Sequence, residues 1–451
     1  MNDRGSFGSK FGVILASAGS AVGLGNVWRF PTEVGNNGGA AFIIIYLLCV
    51  FFVGVPVMVS EFVIGRHTHA NTISAYSKLA PGTLWRLQGV SGVFVAFLIL
   101  SYYIIISGWT LFYLTESVIN SLSVSRDYTA YFNDFVSNPW KPVIYAAVVM
   151  LMVHVIIARG VQSGIEKFSK IFMPLLLIII IVLVGCSFNM PGSSEGLRFL
   201  LQPDFSKVTP SVVLSAMGQA FFSLSLAMGC LCTYASYFGP DTKLVRTAAS
   251  VSIIDTCVAV LSGFIIFPAV FSVQGVEVNA GPGLVFITLP NVFIMAFHNV
   301  PILGYIFSGL FYLLLLLAAI TSAMSLHESV TAYVFEETHV SRRGASAIVS
   351  ISCMLLGVAC SLSFGLWSDY AIFGMTIFDI FDFVASKILM PVGGLVICLF
   401  VGWYLDNNLV RDEITNRGMV PFRFFQSFIF LVRYVVPVAM ILIFVNELLF
   451  R

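Results

Sequence analysis

Charge is what this sequence has least of. Of 451 residues only 10% are charged, against 58% hydrophobic. Soluble domains carry roughly 25% charged residues, so a water-facing surface for a chain this long is excluded, and lipid is the solvent that fits. The net charge is +1, which excludes the basic field a nucleic-acid partner requires. Metal-ligating clusters are missing as well. The eight cysteines (Cys49, Cys186, Cys230, Cys232, Cys257, Cys353, Cys360 and Cys398) lie inside or at the ends of apolar runs and read as small core residues. Cys230 and Cys232 form a C-x-C with no second cluster to complete a site. His67 and His69 sit beside Arg66 in a polar stretch that a solvated loop explains. There is no H-E-x-x-H or P-loop, so a metalloprotease-type membrane enzyme is weakly supported and an ATP-driven pump has no basis in the sequence. A cleavable leader is not expected either: the first apolar run, from Phe11, is Gly-rich, too long and contains Arg29.

Long apolar runs are abundant. A spanning helix needs about 20 mostly apolar residues. Eleven segments qualify, near 10–33, 40–65, 88–120, 141–158, 165–188, 211–238, 247–273, 301–335, 344–364, 374–404 and 425–449. The predicted fold class is therefore an all-α polytopic membrane protein. The 42 Phe and 37 Gly residues suit packed membrane helices. Segment 275–300 is interrupted by Pro282, Gly283 and Pro290 and reads as a capping or re-entrant loop.

Orientation follows Lys and Arg. One side of the bundle would carry Arg4, Lys10, Arg66, Lys78, Arg86, Arg159, Lys167, Lys170, Lys243, Arg246, Arg342, Arg343, Arg411, Arg417 and Arg423. The other would carry only Arg126, Lys141, Arg198, Lys207, Arg433 and Arg451. This predicts a cytoplasmic N-terminus and, with an odd number of spans, a C-terminus outside.

Ionisable groups at membrane depth are costly and face a cavity or a partner. Here they are Arg29, Glu61, Asp255, Glu328, Asp379, Asp382 and Lys387. The first span contains Gly19, Gly23 and Gly25, followed by Asn26 and Pro31, and each helical glycine weakens a helix by roughly 1 kcal/mol. A break near 22–26 is expected, with bare carbonyls to hold a cation and bare N–H groups to hold a carboxylate. A kink packed by small residues is the alternative. The sixth span repeats the pattern with Gly218-Gln219-Ala220-Phe221-Phe222-Ser223-Leu224-Ser225-Leu226-Ala227-Met228-Gly229. Two interrupted helices at corresponding places in two five-span halves point to a transport site at the midplane. The halves would be 1–190 (spans 1–5) and 205–405 (spans 6–10, with the cap loop 275–300), and 424–451 would be an added eleventh span.

These residues resemble the neurotransmitter:sodium symporter family, in its bacterial amino-acid-transporting branch. The motifs are Gly19-Ser20-Ala21-Val22-Gly23-Leu24-Gly25-Asn26-Val27-Trp28-Arg29-Phe30-Pro31, Asn37-Gly38-Gly39-Ala40-Ala41-Phe42, Gly54-Val55-Pro56 with Glu61 and Gly65-Arg66, the sixth-span segment from Gly218, Thr233-Tyr234-Ala235-Ser236-Tyr237, and Thr321-Ser322. The resemblance covers essentially the whole chain. It implies an inverted 5+5 repeat with the first and sixth helices broken at the midplane. The implied function is sodium-coupled import of a neutral, hydrophobic or aromatic L-amino acid by alternating access in a bacterial inner membrane. The expected partners are the amino acid and the lipid bilayer, with the oligomeric state left open.

The resemblance also implies two sodium sites. The first would use Ala21, Asn26, Ser223 and Asp255 together with the substrate carboxylate. The second would use carbonyls of Gly19, Val22 and Ala318 and the hydroxyls of Thr321 and Ser322. Oxygen ligands suit a hard cation. Asp255 replaces the family's usual asparagine, and Ala259 stands where chloride-requiring members have serine, so no chloride is expected. The substrate would meet Ala21, Gly23, Leu24, Gly25, Ile99, Tyr103, Phe222, Ser223, Ser225, Ala227, Met228, Ser322 and Leu326. Arg29 and Asp382 resemble an outer gate pair, and Arg4 with Glu336 an inner pair near Tyr237. Gly164 and Pro174 resemble the spacing of a fifth span that can unwind. Glu61 is placed to accept orphan N–H groups of the first span. Lys387 could pair with Asp379 or Asp382 or snorkel outward, and His327-Glu328 could be a buried pair; neither has an assigned role. Alternatives are an amino-acid receptor on the same fold, or, less well supported, a channel, for which no pore loop is visible.

Overall fold

The computed structural model describes residues 5–119, 127–272, 283–297, 300–338 and 340–449. Nine of the described helices are long and apolar enough to cross a membrane: Ala40–Thr68, Arg86–Val118, Lys141–Ala158, Val161–Ser187, Leu244–Phe271, Ile302–Glu337, Arg342–Leu362, Ile377–Tyr404 and Phe425–Asn446. A tenth is the bent pair Lys10–Ala21 and Gly25–Asn36, whose halves diverge by 56°. The remaining predicted span, the sixth, is divided into Pro210–Ser223 and Cys230–Ala235, and neither piece alone is long enough to cross. The cap segment holds a short helix, Leu284–Ala296. Trp109 of the third span packs edge-on against Phe286, and Tyr312 of the eighth donates to the Val285 carbonyl at 2.8 Å.

Proline shapes the spans in a regular way. Each of the π-helical turns Gly25–Arg29, Val50–Gly54, Leu284–Thr288, Phe383–Leu389 and Leu431–Val435 ends two residues before a proline: Pro31, Pro56, Pro290, Pro391 and Pro437. After each turn the next amide bonds five residues back, as Phe30 does to Gly25 and Val55 to Val50. Proline has no N–H, and its ring collides with the carbonyl four residues earlier. A local i to i−5 pattern moves that carbonyl aside while keeping the preceding amides bonded, which hydrocarbon surroundings demand.

The first span breaks because glycine lets it. Val22 leaves the helix with ψ 111° after its amide has closed onto Ala18. The second half begins only at Leu24 and Gly25. The sixth span breaks differently. Residues 224–229 are irregular, and Ser225 and Ala227 adopt φ of 53° and 62° before Gly229 at 70°. Left-handed backbone is uncommon outside glycine, so something must hold those two residues there. The Lys10–Ala21 half packs against the fifth, seventh and eighth spans.

Candidate functional site

The two breaks face each other across a cavity. Its lining is Ser20, Ala21, Gly23, Leu24, Gly25 and Asn26 from the first break, Ile99 and Tyr103 from the third span, Phe222, Ser223, Ser225 and Met228 from the second break, and Ser322 and Leu326 from the eighth span. Ala227 does not line the cavity; its amide is turned the other way, onto Glu61.

Each broken end has side-chain partners. The Leu24 amide donates to the Tyr103 hydroxyl at 3.2 Å, and the Gly23 amide to Asn26 Oδ1 at 2.9 Å. Ser322 Oγ donates to the Val22 carbonyl at 2.9 Å, and Ser225 Oγ to the Ser20 carbonyl at 3.0 Å. That last bond ties one break directly to the other. Close approach explains the glycines: a Cβ on Gly23 would lie 2.6 Å from Ser322 Oγ, and one on Gly25 2.8 Å from the Phe222 ring.

Below the cavity three side chains converge. Asn26 Nδ2 donates to Asp255 Oδ1 at 2.7 Å and to Ser223 Oγ at 3.2 Å, and Ser223 Oγ donates to Asp255 Oδ2 at 2.8 Å. Asp255 is fully buried. On the other side of the first break, Thr321 donates to the carbonyls of Leu317 and Ala318 at 3.1 and 3.0 Å. A Cβ on Gly19 would touch the Thr321 Cβ at 3.2 Å. The structure thus gathers Gly19, Val22, Ala318, Thr321 and Ser322 on one side and Ala21, Asn26, Ser223 and Asp255 on the other. Both donor sets are oxygen-rich, the kind hard cations prefer. Ser20 Oγ and both polar atoms of the Gln219 amide are buried without a partner among the described residues, and such groups in native proteins are met by water or an ion.

Several expectations need correction. Glu61 serves the sixth span, not the first: its carboxylate accepts the amides of Ala227 at 2.7 Å and Cys232 at 3.3 Å. Arg29 and Asp382 do not form an ion pair. The Arg29 guanidinium lies 4.3 Å over the Phe222 ring, while Asp382 accepts the Tyr102 hydroxyl at 2.9 Å. Arginine stacks on an aromatic face as readily as it pairs with a carboxylate. Arg4 lies outside the described residues. Its expected partner Glu336 accepts the amide and side chain of Asn71 at 2.8 and 3.0 Å. Tyr237 donates to Glu328 at 2.7 Å, and Arg342 pairs with the same carboxylate at 2.5 Å. His327 bonds instead to Ser350 and Thr331, so His327-Glu328 is not a pair. Asp379 closes a capping box with Thr376. Lys387 joins Arg29 and Phe222 in lining a small outer cavity. Sequence reading missed Tyr102 and Arg342; a buried Glu328 without an assigned cation was the signal for the second.

A helical membrane bundle with two facing midspan breaks around a small cavity is the architecture of a secondary transporter. The sequence matches the Sodium:neurotransmitter symporter family over residues 4–135 and 128–450, and this chain belongs to that family. It is a sodium-dependent membrane transporter, not an enzyme. An uncharacterized sodium-dependent transporter, YhdH, of Bacillus subtilis (strain 168) is 40% identical over 97% of this chain and 96% of its own length. The human sodium- and chloride-dependent GABA transporter 2 is 27% identical over 92% of this chain and 75% of its own. The crystal structure of MhsT in complex with L-phenylalanine superposes with a TM-score of 0.89 at 40% identity, covering 98% of this chain and all of that one.

Proposed function

We propose that the chain imports a neutral, hydrophobic or aromatic L-amino acid together with two sodium ions, without chloride, by alternating access. The observation that carries this reading is the composition of the cavity. One end presents the Leu24 amide and the Tyr103 hydroxyl beside the Asn26, Ser223 and Asp255 cluster. The other presents Ile99, Phe222, Met228 and Leu326, with no opposing charge. An α-carboxylate fits the first end and an apolar side chain the second. A charged side chain would be desolvated without compensation there. That MhsT was crystallised with L-phenylalanine at 40% identity supports the same class.

In this reading the first sodium lies among Ala21, Asn26, Ser223, Asp255 and the substrate carboxylate. The second lies among Gly19, Val22, Ala318, Thr321 and Ser322. Sodium supplies the positive charge that lets a carboxylate enter beside a buried acid. Asp255 is a fixed negative charge at this depth, with Ala259 one turn on, which makes an external anion unnecessary. Arg29, stacked on Phe222, closes the outer end over the substrate, with Asp382 held back by Tyr102. Arg4, Glu336 and Tyr237 are assigned to the inner closure. The two repeats, 1–190 and 205–405, rock about the site, with 424–451 outside the repeats and 275–300 as the outer cap. The basic loops support a cytoplasmic N-terminus and a C-terminus outside, in a bacterial inner membrane.

Proteoliposomes test it. An inward sodium gradient should drive accumulation of phenylalanine equally with chloride or gluconate as the external anion. Leucine, methionine, tyrosine or tryptophan should compete, and aspartate and lysine should not. Binding without accumulation would identify a receptor, and a strict chloride requirement would remove the role given to Asp255.

A further inference from the structure

We infer that Glu166, at the N-terminal end of the fifth span, is a positioning residue for the transport cycle: its carboxylate latches the inner half of the first span to the segment of the fifth span around Gly164. The inference rests on the broken-helix transport reading above, and the latch itself stands on geometry.

The Lys10–Ala21 half-helix is continuous with the rest of its span only through residues 22–24, where helical bonding lapses, and it is bent 56° from the outer half. A rod attached at one end by a non-helical joint is held in place by what grips its other end. Part of that grip is the Phe7 amide donating to the Tyr237 carbonyl at 3.2 Å, together with the half-helix's packing on its neighbours; the charged part is Glu166. Its Oε2 accepts the Gly8 amide at 2.6 Å, and its Oε1 accepts the Ser9 hydroxyl at 2.8 Å. Ser9 is the N-cap of the half-helix, and its oxygen in turn accepts the Gly12 amide at 3.0 Å. The carboxylate therefore fixes the cap that starts the helix. Its charge also sits at the positive end of that helix, where an anion is favoured. Lys170 pairs with the same oxygen as Ser9, at 2.6 Å, and Glu166 is only 2% exposed.

The fit is tight on both sides. A Cβ on Gly12 would fall 2.1 Å from Glu166 Oε1, and one on Gly8 2.4 Å from Gln162 Nε2. Glu166 is the last residue of the π-helical turn Val161–Glu166, two residues after Gly164, whose own Cβ would meet the Ile156 carbonyl at 2.1 Å. This turn is the least regular part of the fifth span, and the sodium ligands proposed at Gly19 and Val22 ride on the half-helix that it holds. Swinging the half-helix away would remove Glu166's two bonds to Gly8 and Ser9 in one step and free the π-turn. Loosening the turn would in turn uncap the half-helix. The two segments should thus open together, and sodium, whose donors they shape, should keep both closed.

Hydrogen–deuterium exchange on the purified full chain, in NaCl and in KCl, tests this. In the wild type, sodium should slow exchange in 8–21 and in 161–171 together. Glu166→Ala should raise exchange in both segments about tenfold at saturating sodium and raise the sodium concentration for half-maximal protection several-fold. Glu166→Gln, which keeps the size and an acceptor oxygen, should raise both by about threefold, and it keeps the test readable if the alanine variant does not fold. The decisive variant is Gly12→Ala. Alanine favours helix over glycine, so in the Glu166→Ala background it should slow exchange in 8–21. Beside the intact carboxylate it should speed it. The same sign in both backgrounds, or loosening of 8–21 with 161–171 unchanged, would overturn the latch. These readouts need no amino acid, so failure of the latch is distinct from a wrong substrate assignment.

Discussion

The two helix breaks solve one problem by different means. The first is written locally: Gly19, Gly23 and Gly25 lower helical stability where the chain must turn, and Asn26, Tyr103 and Ser322 then meet the freed groups. The second has one glycine, Gly229, at its far end, and Gly218 lies back inside the Pro210–Ser223 helix. Between them, Ser225 and Ala227 hold left-handed backbone that their side chains disfavour. A buried carboxylate from the second span holds that shape by gripping the amides of Ala227, within the irregular stretch, and Cys232, in the helix that follows it. Strain of this kind persists where surrounding structure over-determines it. One break is encoded by composition and the other is imposed by a tertiary contact, so they should respond oppositely to mutation.

The largest effect should come from Glu61→Ala. It removes a charged acceptor from two buried amides, and hydrogen bonds to charged groups are worth about 1.5–3 kcal/mol each. Thermal unfolding in detergent should drop sharply and sodium-dependent binding should be lost, while Glu61→Gln should fall between. If Glu61→Ala bound substrate normally, the second break would not depend on that contact. Next in size is Asp255→Asn. Losing the fixed charge beside the proposed sodium should lower sodium affinity by roughly tenfold, about 1.4 kcal/mol, and make uptake respond to chloride. Uptake assays across a sodium titration, with gluconate against chloride, read both effects. Tyr103→Phe should weaken amino-acid binding by about the worth of one hydrogen bond, ~1 kcal/mol, with a smaller change in sodium affinity; equal losses in both would remove Tyr103 from the carboxylate end. The smallest effect has the opposite sign. Ala227→Gly should raise the unfolding temperature slightly, because glycine relieves the φ of 62°. Gly25→Ala should lower it, since the new methyl meets Phe222. A destabilised Ala227→Gly would mean that Ala227 is not strained.

What the sequence made legible follows from this contrast. The span limits and the break in the first helix could be read because apolar length and glycine spacing are local signals, whereas nearly all of the cavity lining came from the family resemblance. The sixth break was visible as a run of small and hydroxyl residues, but its cause was not, because Glu61 lies far away in sequence. It was assigned to the nearer break by proximity in the chain. The Tyr102 contact with Asp382 and the Arg342 contact with Glu328 were missed for the same reason. Opposite charges suggest partners, but only packing decides between a carboxylate and the face of Phe222 for Arg29. The π-turns before Pro31, Pro56, Pro290, Pro391 and Pro437 were within reach, since each follows from a missing amide.

Equilibrium binding of radiolabelled phenylalanine to purified protein, titrated with sodium at constant ionic strength, bears most directly on the idea that the two bare helix ends hold ion and zwitterion as one unit. Saturable binding should emerge only with sodium, rising with a Hill coefficient near two and vanishing in Gly25→Ala. Equal binding in sodium and in potassium would contradict it.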